Sequence, residues 1–506
     1  MIQIKINHKA IAVVMVGSLL LGSCRKNFER INEDPNNPKE VPNSYLLTGA
    51  QRGIMDNTID VWWGANVGNQ LGQYWSSNQY TSESRYNYRT NVTNSAWQRF
   101  YSGASNDQQV NVGGLYELDQ IIKKCTEEPD LSSVDGDVNN QIAVATMLKV
   151  WLFQNMTDTW GDIPYSEALQ AEKIKSPKYD SQEDIYKGLM NDLNNALSLI
   201  DVAASGPNGD VVYNGDMTLW KKFGNSLKMR LALRTADKDA AASQAAFEAA
   251  NTDGAFTSNS DNALLQYGTY PSGNPIYYNR YISGRNDYCA SNIFLDSTLT
   301  PLNDPRRECF FAPASATGLW TGEVYGLSEA NGAQTPNSRI SQRSALTLSA
   351  TLPGIYLDYA QVEFMLAEAV ERGWNVGGTA QDHYNNGVTA SIDFWTGLNG
   401  TTGDAAAYLA QPDVNYTTAP GDWKQKIGVQ KWIALFDQGV QGWVEWRRLG
   451  FTKLQLPADG VLDGTGIPRR MKYPVLEQTL NSANYNAAVA AQGADEQDTR
   501  MWWDKP

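Results

Sequence analysis

Histidine is nearly absent from this 506-residue chain, which has only His8 and His383. Zinc centres built on several imidazoles, and most histidine general-base schemes, therefore lack their parts. Cysteine is scarce too: Cys24, Cys125, Cys289 and Cys309 are the whole set, and no metal or nucleophile motif accompanies the last three. Charged residues make up only 19%, and the net charge of −14 repels nucleic acid and anionic lipid surfaces. Beyond the N-terminus no stretch is long and apolar enough to span a bilayer as a helix.

The N-terminus carries Lys5 and Lys9 without an acid, then an apolar run from Ile11 to Gly22, then Leu21-Gly22-Ser23-Cys24. That is the profile of a secretory signal, too short to be a membrane span. Small residues before a cysteine fit lipoprotein processing, so residues 1–23 are read as a removed signal peptide and Cys24 as the lipid-attachment site. Residues 24–43, polar and bearing Pro35, Pro38 and Pro42, then form a tether. Residues 44–506 are taken as one domain. Of the three remaining thiols, Cys289 and Cys309 are the candidates for a bridge across their loop, leaving Cys125 as a buried apolar residue. Spacing alone does not establish that bond.

Helical periodicity dominates the rest. Val144, Met147, Leu148, Trp151 and Leu152 share one face, as do Ile185, Leu189, Leu193, Ala196 and Ile200 behind a Ser181 N-cap. Trp220, Phe223, Leu227 and Leu231 form a third stripe, and further helices are expected near 238–251, 356–373, 381–395 and 424–438, with Gly373 as a stop. From about 252 to 352, Gly, Ser, Asn, Pro and Thr break every apolar run, which predicts a long loop-rich lobe with a few short strands. A structureless stretch of that length is expected only where loops carry function.

Five passages in order carry a resemblance. They are the Cys24 lipobox with Asn32-Glu33-Asp34-Pro35-Asn36; Trp151 to Gln154 running into Asp158-Thr159-Trp160-Gly161-Asp162-Ile163-Pro164-Tyr165; Trp220 to Arg234; Tyr359 to Glu371; and Gln430 to Phe436 leading to Glu445-Trp446-Arg447-Arg448-Leu449-Gly450. Together they resemble the SusD/RagB family of Bacteroidetes lipoproteins, on its SusD-like branch. The resemblance implies a mainly α fold, a scaffold of four tetratricopeptide-like helix pairs with a loop-rich second face. It also implies a lipid-anchored outer-membrane protein partnered by a SusC-like TonB-dependent transporter, binding oligosaccharide and catalysing nothing, with no cofactor. RagB-like capture of peptides is the alternative cargo, and a helical polysaccharide lyase or hydrolase is a third reading.

Sugars present apolar C–H faces and polar edges, so a site for them needs flat rings rimmed by amide or guanidinium groups. Two stretches supply both. Val61 to Asn94 holds Trp62, Trp63, Trp75, Tyr80 and Tyr86 among Gln70, Asn78 and Arg85, and Tyr270 to Tyr288 holds Tyr278 and Tyr281 beside Arg280, Arg285 and Asn286. Trp320, between Gly318 and Gly322, is a third candidate. The expected ligand contacts are therefore Trp75, Tyr80, Tyr86, Tyr278, Tyr281, Arg285, Asn286 and Trp320. Aromatic residues in helical stripes are core residues first, so Trp97, Trp151, Trp220 and Trp432 are assigned to packing. Asp158 and Asp162 could imitate a glycosidase carboxylate pair, but they lie where a helix runs into a turn, where Asp caps and turns chains. A structural calcium ion drawing on Asp261, Asn262 and Asp304 is left open, although no EF-hand spacing is present. With this much negative charge a neutral glycan is expected unless Arg85, Arg280 and Arg285 cluster.

Overall fold

Helix starts are set by short polar side chains that satisfy the first free backbone N–H groups. Asp137, Ser181, Asp216, Asp358 and Thr379 each accept from an amide two or three residues on. The computed structural model describes residues 41–103 and 113–504. The longer helices are α1 (Asn43–Ile59), α2 (Thr90–Ser102), α3 (Leu115–Glu127), α4 (Val138–Trp160), α5 (Gln182–Leu199), α6 (Met217–Thr235), α7 (Ala240–Gly254), α8 (Tyr359–Glu371), α9 (Ala380–Leu398), α10 (Trp423–Ala434), α11 (Gly439–Leu449) and α12 (Ser482–Gln492). They pack as tetratricopeptide-like pairs, most extensively α4 on α5, α6 on α7 and α8 on α9. Cys24 and the leader lie outside the described residues.

Gly373 ends α8 as expected, with φ +80. The expected start near 356 is displaced, because Gly354–Leu357 is a strand, β4, paired antiparallel with β2 (Ala263–Leu265), and only Asp358 opens the helix. The helix expected to reach 438 stops at Ala434, and Asp437 takes a left-handed conformation (φ +66) before α11 begins. The lobe between about 252 and 352 contains only short pieces, as its composition predicts: β2, β3 (Tyr288–Ala290), single helical turns and long loops.

Trp97, Trp151, Trp220 and Trp432 are all buried, as assigned. The indole N–H of Trp151 donates to the Tyr356 carbonyl (2.8 Å) and that of Trp432 to the Gly72 carbonyl (2.8 Å). Charge is buried where the helices meet. Arg234 of α6 donates to Asp158 of α4 (3.1 Å) and to Glu445 of α11 (2.5 Å). Arg448 of α11 reaches both oxygens of Glu368 on α8, and Lys431 of α10 sits 3.2 Å from Glu445. Burial drives the Lys431 ammonium down to about 8 despite Glu445. The bridge considered for Cys289 and Cys309 is not formed: both are free, buried thiols, as is Cys125. Cys289 lies on β3 with its Sγ 3.4 Å from the Ser76 carbonyl, and Cys309 is buried in the turn Arg307–Phe310.

Candidate functional site

The two ring-rich stretches are distant in sequence and adjacent in space. β1 (Trp75–Ser77) pairs antiparallel with β3, placing Trp75 opposite Ala290 and Ser77 opposite Tyr288. The segment entering β1 is unusual: Val61–Asn69 is a π-helix, capped by Asp60, whose carboxylate accepts from the Trp63 and Gly64 amides. This wider winding buries Trp63 and leaves Trp62 half-exposed. The Tyr288 hydroxyl fastens β3 to the π-helix by donating to Asn66 Oδ1 (2.8 Å).

A ring and cation cluster results. The Arg285 guanidinium carbon lies 5.0 Å from the Tyr80 ring centroid and 5.9 Å from that of Trp62, and Arg89 lies 5.0 Å from Trp62. Tyr80 is 56% exposed. It holds a left-handed backbone (φ +53), a conformation that bulky residues seldom adopt and that marks stored strain. Each cation has its own carboxylate: Arg285 pairs with Asp287 (2.5 Å) and Arg89 with Glu83 (2.5 Å). Burial works against the charge on Arg285, but the hydrogen bond and charge of Asp287 outweigh it and hold the guanidinium above its ordinary value. The cluster is locally neutral. Asn286 is half-buried, and its backbone carbonyl accepts from the Asn337 side-chain amide (3.1 Å), whose Oδ1 in turn accepts from Asn78 (2.5 Å).

A second group of rings adjoins the first through the backbone bond from Arg285 N–H to the Asn279 carbonyl (3.1 Å). Tyr278 stacks on Tyr270 (centroids 6.2 Å apart), and Tyr281, exposed, leans on Tyr277 (5.0 Å) with Arg280 beside it. Arg52 on α1 anchors this segment by donating to the Ser272 and Gly273 carbonyls (both 3.1 Å). Trp320 stands on its own loop, half-buried, with the Arg307 guanidinium carbon 4.5 Å from its ring.

Two expected contacts are corrected. Trp75 and Tyr86 are fully buried and have no ring face to offer a ligand. Trp75 packs between Tyr288 (5.8 Å) and Arg343 (4.1 Å), while the Tyr86 hydroxyl accepts from Gln73 (3.1 Å). Trp62, although part of the first ring-rich stretch, is not among the expected contacts, and neither is Arg89, since no apolar period reveals a π-helix that turns one particular tryptophan of an adjacent pair outward. Arg85 donates to the carbonyls of Asp459 and Gly460.

The carboxylates considered for catalysis are taken up elsewhere. Asp158 is buried, accepting from Tyr186 and Arg234, and Asp162 accepts from the Gln182 amide (2.8 Å). His383 Nδ1 is 2.7 Å from Glu363. Asp261 holds Lys222 and Thr257, and Asp304 holds Arg306. Among the described residues, no group of three or more His, Cys, Asp or Glu side chains is placed to hold a metal ion, and no helix is long and apolar enough to cross a membrane.

A family model described as SusD-like, starch-binding, associating with the outer membrane, matches residues 35–474. Among solved structures the chain is similar to a chitin-binding protein (27% identity, TM-score 0.78, covering 92% of this chain and 100% of that one). It is similar to a SusD homolog from Bacteroides uniformis (27%, 0.77, 91% and 100%) and to a chitin-binding SusD homolog from Flavobacterium johnsoniae (25%, 0.75, 91% and 99%). No curated protein sequence matches it.

Proposed function

Because the chain belongs to the SusD-like family, whose description is starch-binding and associated with the outer membrane, we propose that it captures a neutral oligosaccharide for import and performs no chemistry on it. In this reading Cys24 carries the lipid that holds the protein at the outer membrane, and a SusC-like TonB-dependent transporter receives the cargo. The observation that carries the reading is the pair of rings on either side of Arg285, the half-buried Trp62 and the exposed Tyr80, the latter held in a left-handed backbone. Rings supply desolvated area against a pyranose face, and Arg285, Asn286 and Asn337 fix its edge. The pairing of both cations with carboxylates favours an uncharged ligand, and the chitin-binding names of two similar structures make β-linked N-acetylglucosamine chains the first probe.

Isothermal titration of the purified chain with chitin oligosaccharides, starch-derived oligosaccharides and a mixed peptide pool tests this. Saturable binding of one saccharide, with no release of reducing ends, is the expected result. Binding of peptides alone would move the cargo to the RagB-like alternative, and new reducing ends would make the protein an enzyme.

A further inference from the structure

A cavity of about 560 Å³ against α3, α4 and α5 answers its own polar groups: Lys149 pairs with Asp119 (2.6 Å), and the Tyr165 hydroxyl donates to Asp192 (2.5 Å). A smaller one of about 210 Å³, lined by α9 and α10, the chain from 413 to 420, residues 297–302 and Lys453 beyond α11, does not. Its unanswered groups are donors. Lys426 Nζ donates to the Tyr416 carbonyl (2.9 Å) and lies 5.5 Å from the centre of that ring, and Lys453 Nζ donates to the Ser297 carbonyl (3.2 Å). Each ammonium carries three hydrogens, so both keep donors unused, and among the described residues neither enters an ion pair. Gln425 gives its carbonyl oxygen to the Thr452 amide (2.9 Å), which leaves its NH2 without an acceptor. The other polar groups of the wall are taken up, since the Tyr384 hydroxyl donates to the Val414 carbonyl (2.7 Å) and Gln430 holds Tyr408 and Arg306. Asp413, the carboxylate of the lining, is exposed and bonded to neither lysine. Two ammoniums against one carboxylate leave one positive charge in excess, in a chain whose net charge is −14. Burial lowers the Lys453 ammonium below its ordinary value, and the charge of Asp413 offsets this only in part. Like charges desolvated in one cavity are unfavourable until an anion joins them.

We propose that this cavity binds a small carboxylate with a short aliphatic body, at a site that shares no residue with the ring cluster. The charge excess and the free donors select a head that only accepts, and a carboxylate has lone pairs enough for Lys426, Lys453 and Gln425 together. Leu302, Ala419 and Val429 give the body apolar contact. Tyr384, the aromatic residue of the lining, is buried, so a pyranose finds no open ring to stack on here. The volume lies below the roughly 300–1,000 Å³ of sites for drug-sized ligands, which limits the body to a few carbons. A free aliphatic acid and the C-terminus of a peptide both carry such a head, and the test separates these two sources.

The probes are isovalerate, N-acetylleucine and the neutral N-acetylleucine amide, titrated against the whole chain and followed by saturation-transfer NMR of the ligand. Saturable binding of at least one acid is expected, with the amide silent. Tighter binding of isovalerate would identify a free acid as the source, and tighter binding of N-acetylleucine a peptide end. Lys426→Gln and Lys453→Gln, at half-buried positions that close no ion pair, should each weaken binding at least about fivefold with the melting temperature unchanged. The bound acid should also raise the melting temperature of the native chain, a readout that needs no variant. Silence of both acids at millimolar concentration, equal binding of the neutral amide, or undiminished binding by the double lysine variant would each overturn the inference.

Discussion

Tyr288 on β3 stands across the ribbon from Ser77 on β1, and its hydroxyl is bonded to Asn66 in the π-helix. Those two links unite ring-rich stretches more than two hundred residues apart in sequence, and they bring Arg285 between Trp62 and Tyr80. Trp62→Ala and Tyr80→Ala should therefore each weaken saccharide binding about 5- to 30-fold, corresponding to roughly 1–2 kcal/mol for loss of one stacking face. Trp75→Phe, a change to a fully buried ring, should lower the melting temperature and leave affinity unchanged. Titration of the three variants beside thermal denaturation separates the two kinds of residue.

Salt should matter little. The cations nearest the rings, Arg285 and Arg89, are already paired with Asp287 and Glu83, so a neutral ligand displaces no counterions. Raising sodium chloride from about 50 mM to about 500 mM should change the dissociation constant less than roughly twofold. A steep loss of affinity with salt would mean an anionic ligand.

Much of the scaffold was legible because period and capping are local properties: Trp151, Trp220 and Trp432 announced their burial by spacing, and Ser181 its cap. The five passages that carry the family resemblance have a physical meeting point as well, since Asp158, Arg234, Glu368, Lys431, Glu445 and Arg448 come from four of them and converge in one buried charge network. The site was legible only in outline. Both stretches were identified, but which rings face water depends on the β1–β3 register and the π-helix, and neither leaves a short-range pattern. Trp75, an expected contact, is core for that reason, while Trp62 of the same stretch stands beside Arg285.

The three described thiols should be silent in the native protein. Cys125, Cys289 and Cys309 are buried, and burial pushes the Cys309 thiol up to about 12 and the Cys289 thiol well above its usual range. A disulfide-exchange reagent at pH 8 should label none of them until denaturant is added, then all three. Reducing agent should not shift the melting temperature, because no bond joins Cys289 to Cys309.

Glu323 should make the loop lobe less stable as pH rises. Its amide donates to the Ala290 carbonyl of β3 (2.8 Å), and burial raises its carboxyl to about 7. The folded form therefore holds its proton more tightly than the unfolded chain does. Its contribution is fully present below the unfolded value near 4.3 and is lost as pH climbs through about 7. Glu323→Gln should stabilise the protein at pH 8 by about 1–3 kcal/mol and have little effect at pH 4.5. Denaturant unfolding at the two pH values checks the sign.

The buried network should titrate in the opposite sense. Burial alone would raise Glu368 and Glu445, but Arg448, with Arg372, Arg234 and Lys431, holds both below the usual carboxylate range. Their stabilisation is complete above the unfolded value near 4.3 and disappears only as pH falls below it. Arg448→Met removes the charge while keeping much of the side-chain volume, and leaves Glu368 facing only Arg372 and Glu445 facing Arg234 and Lys431. Breaking one partner of a buried pair costs about 3–5 kcal/mol, since the remaining charge stays desolvated. Adding Glu368→Leu to Arg448→Met removes the buried carboxylate that has lost its two-point contact with Arg448, so the double variant should recover at least half of that loss. If the double variant instead lost the sum of the two single losses, Glu368 and Arg448 would be acting independently and the contact between α8 and α11 would not depend on their ion pair.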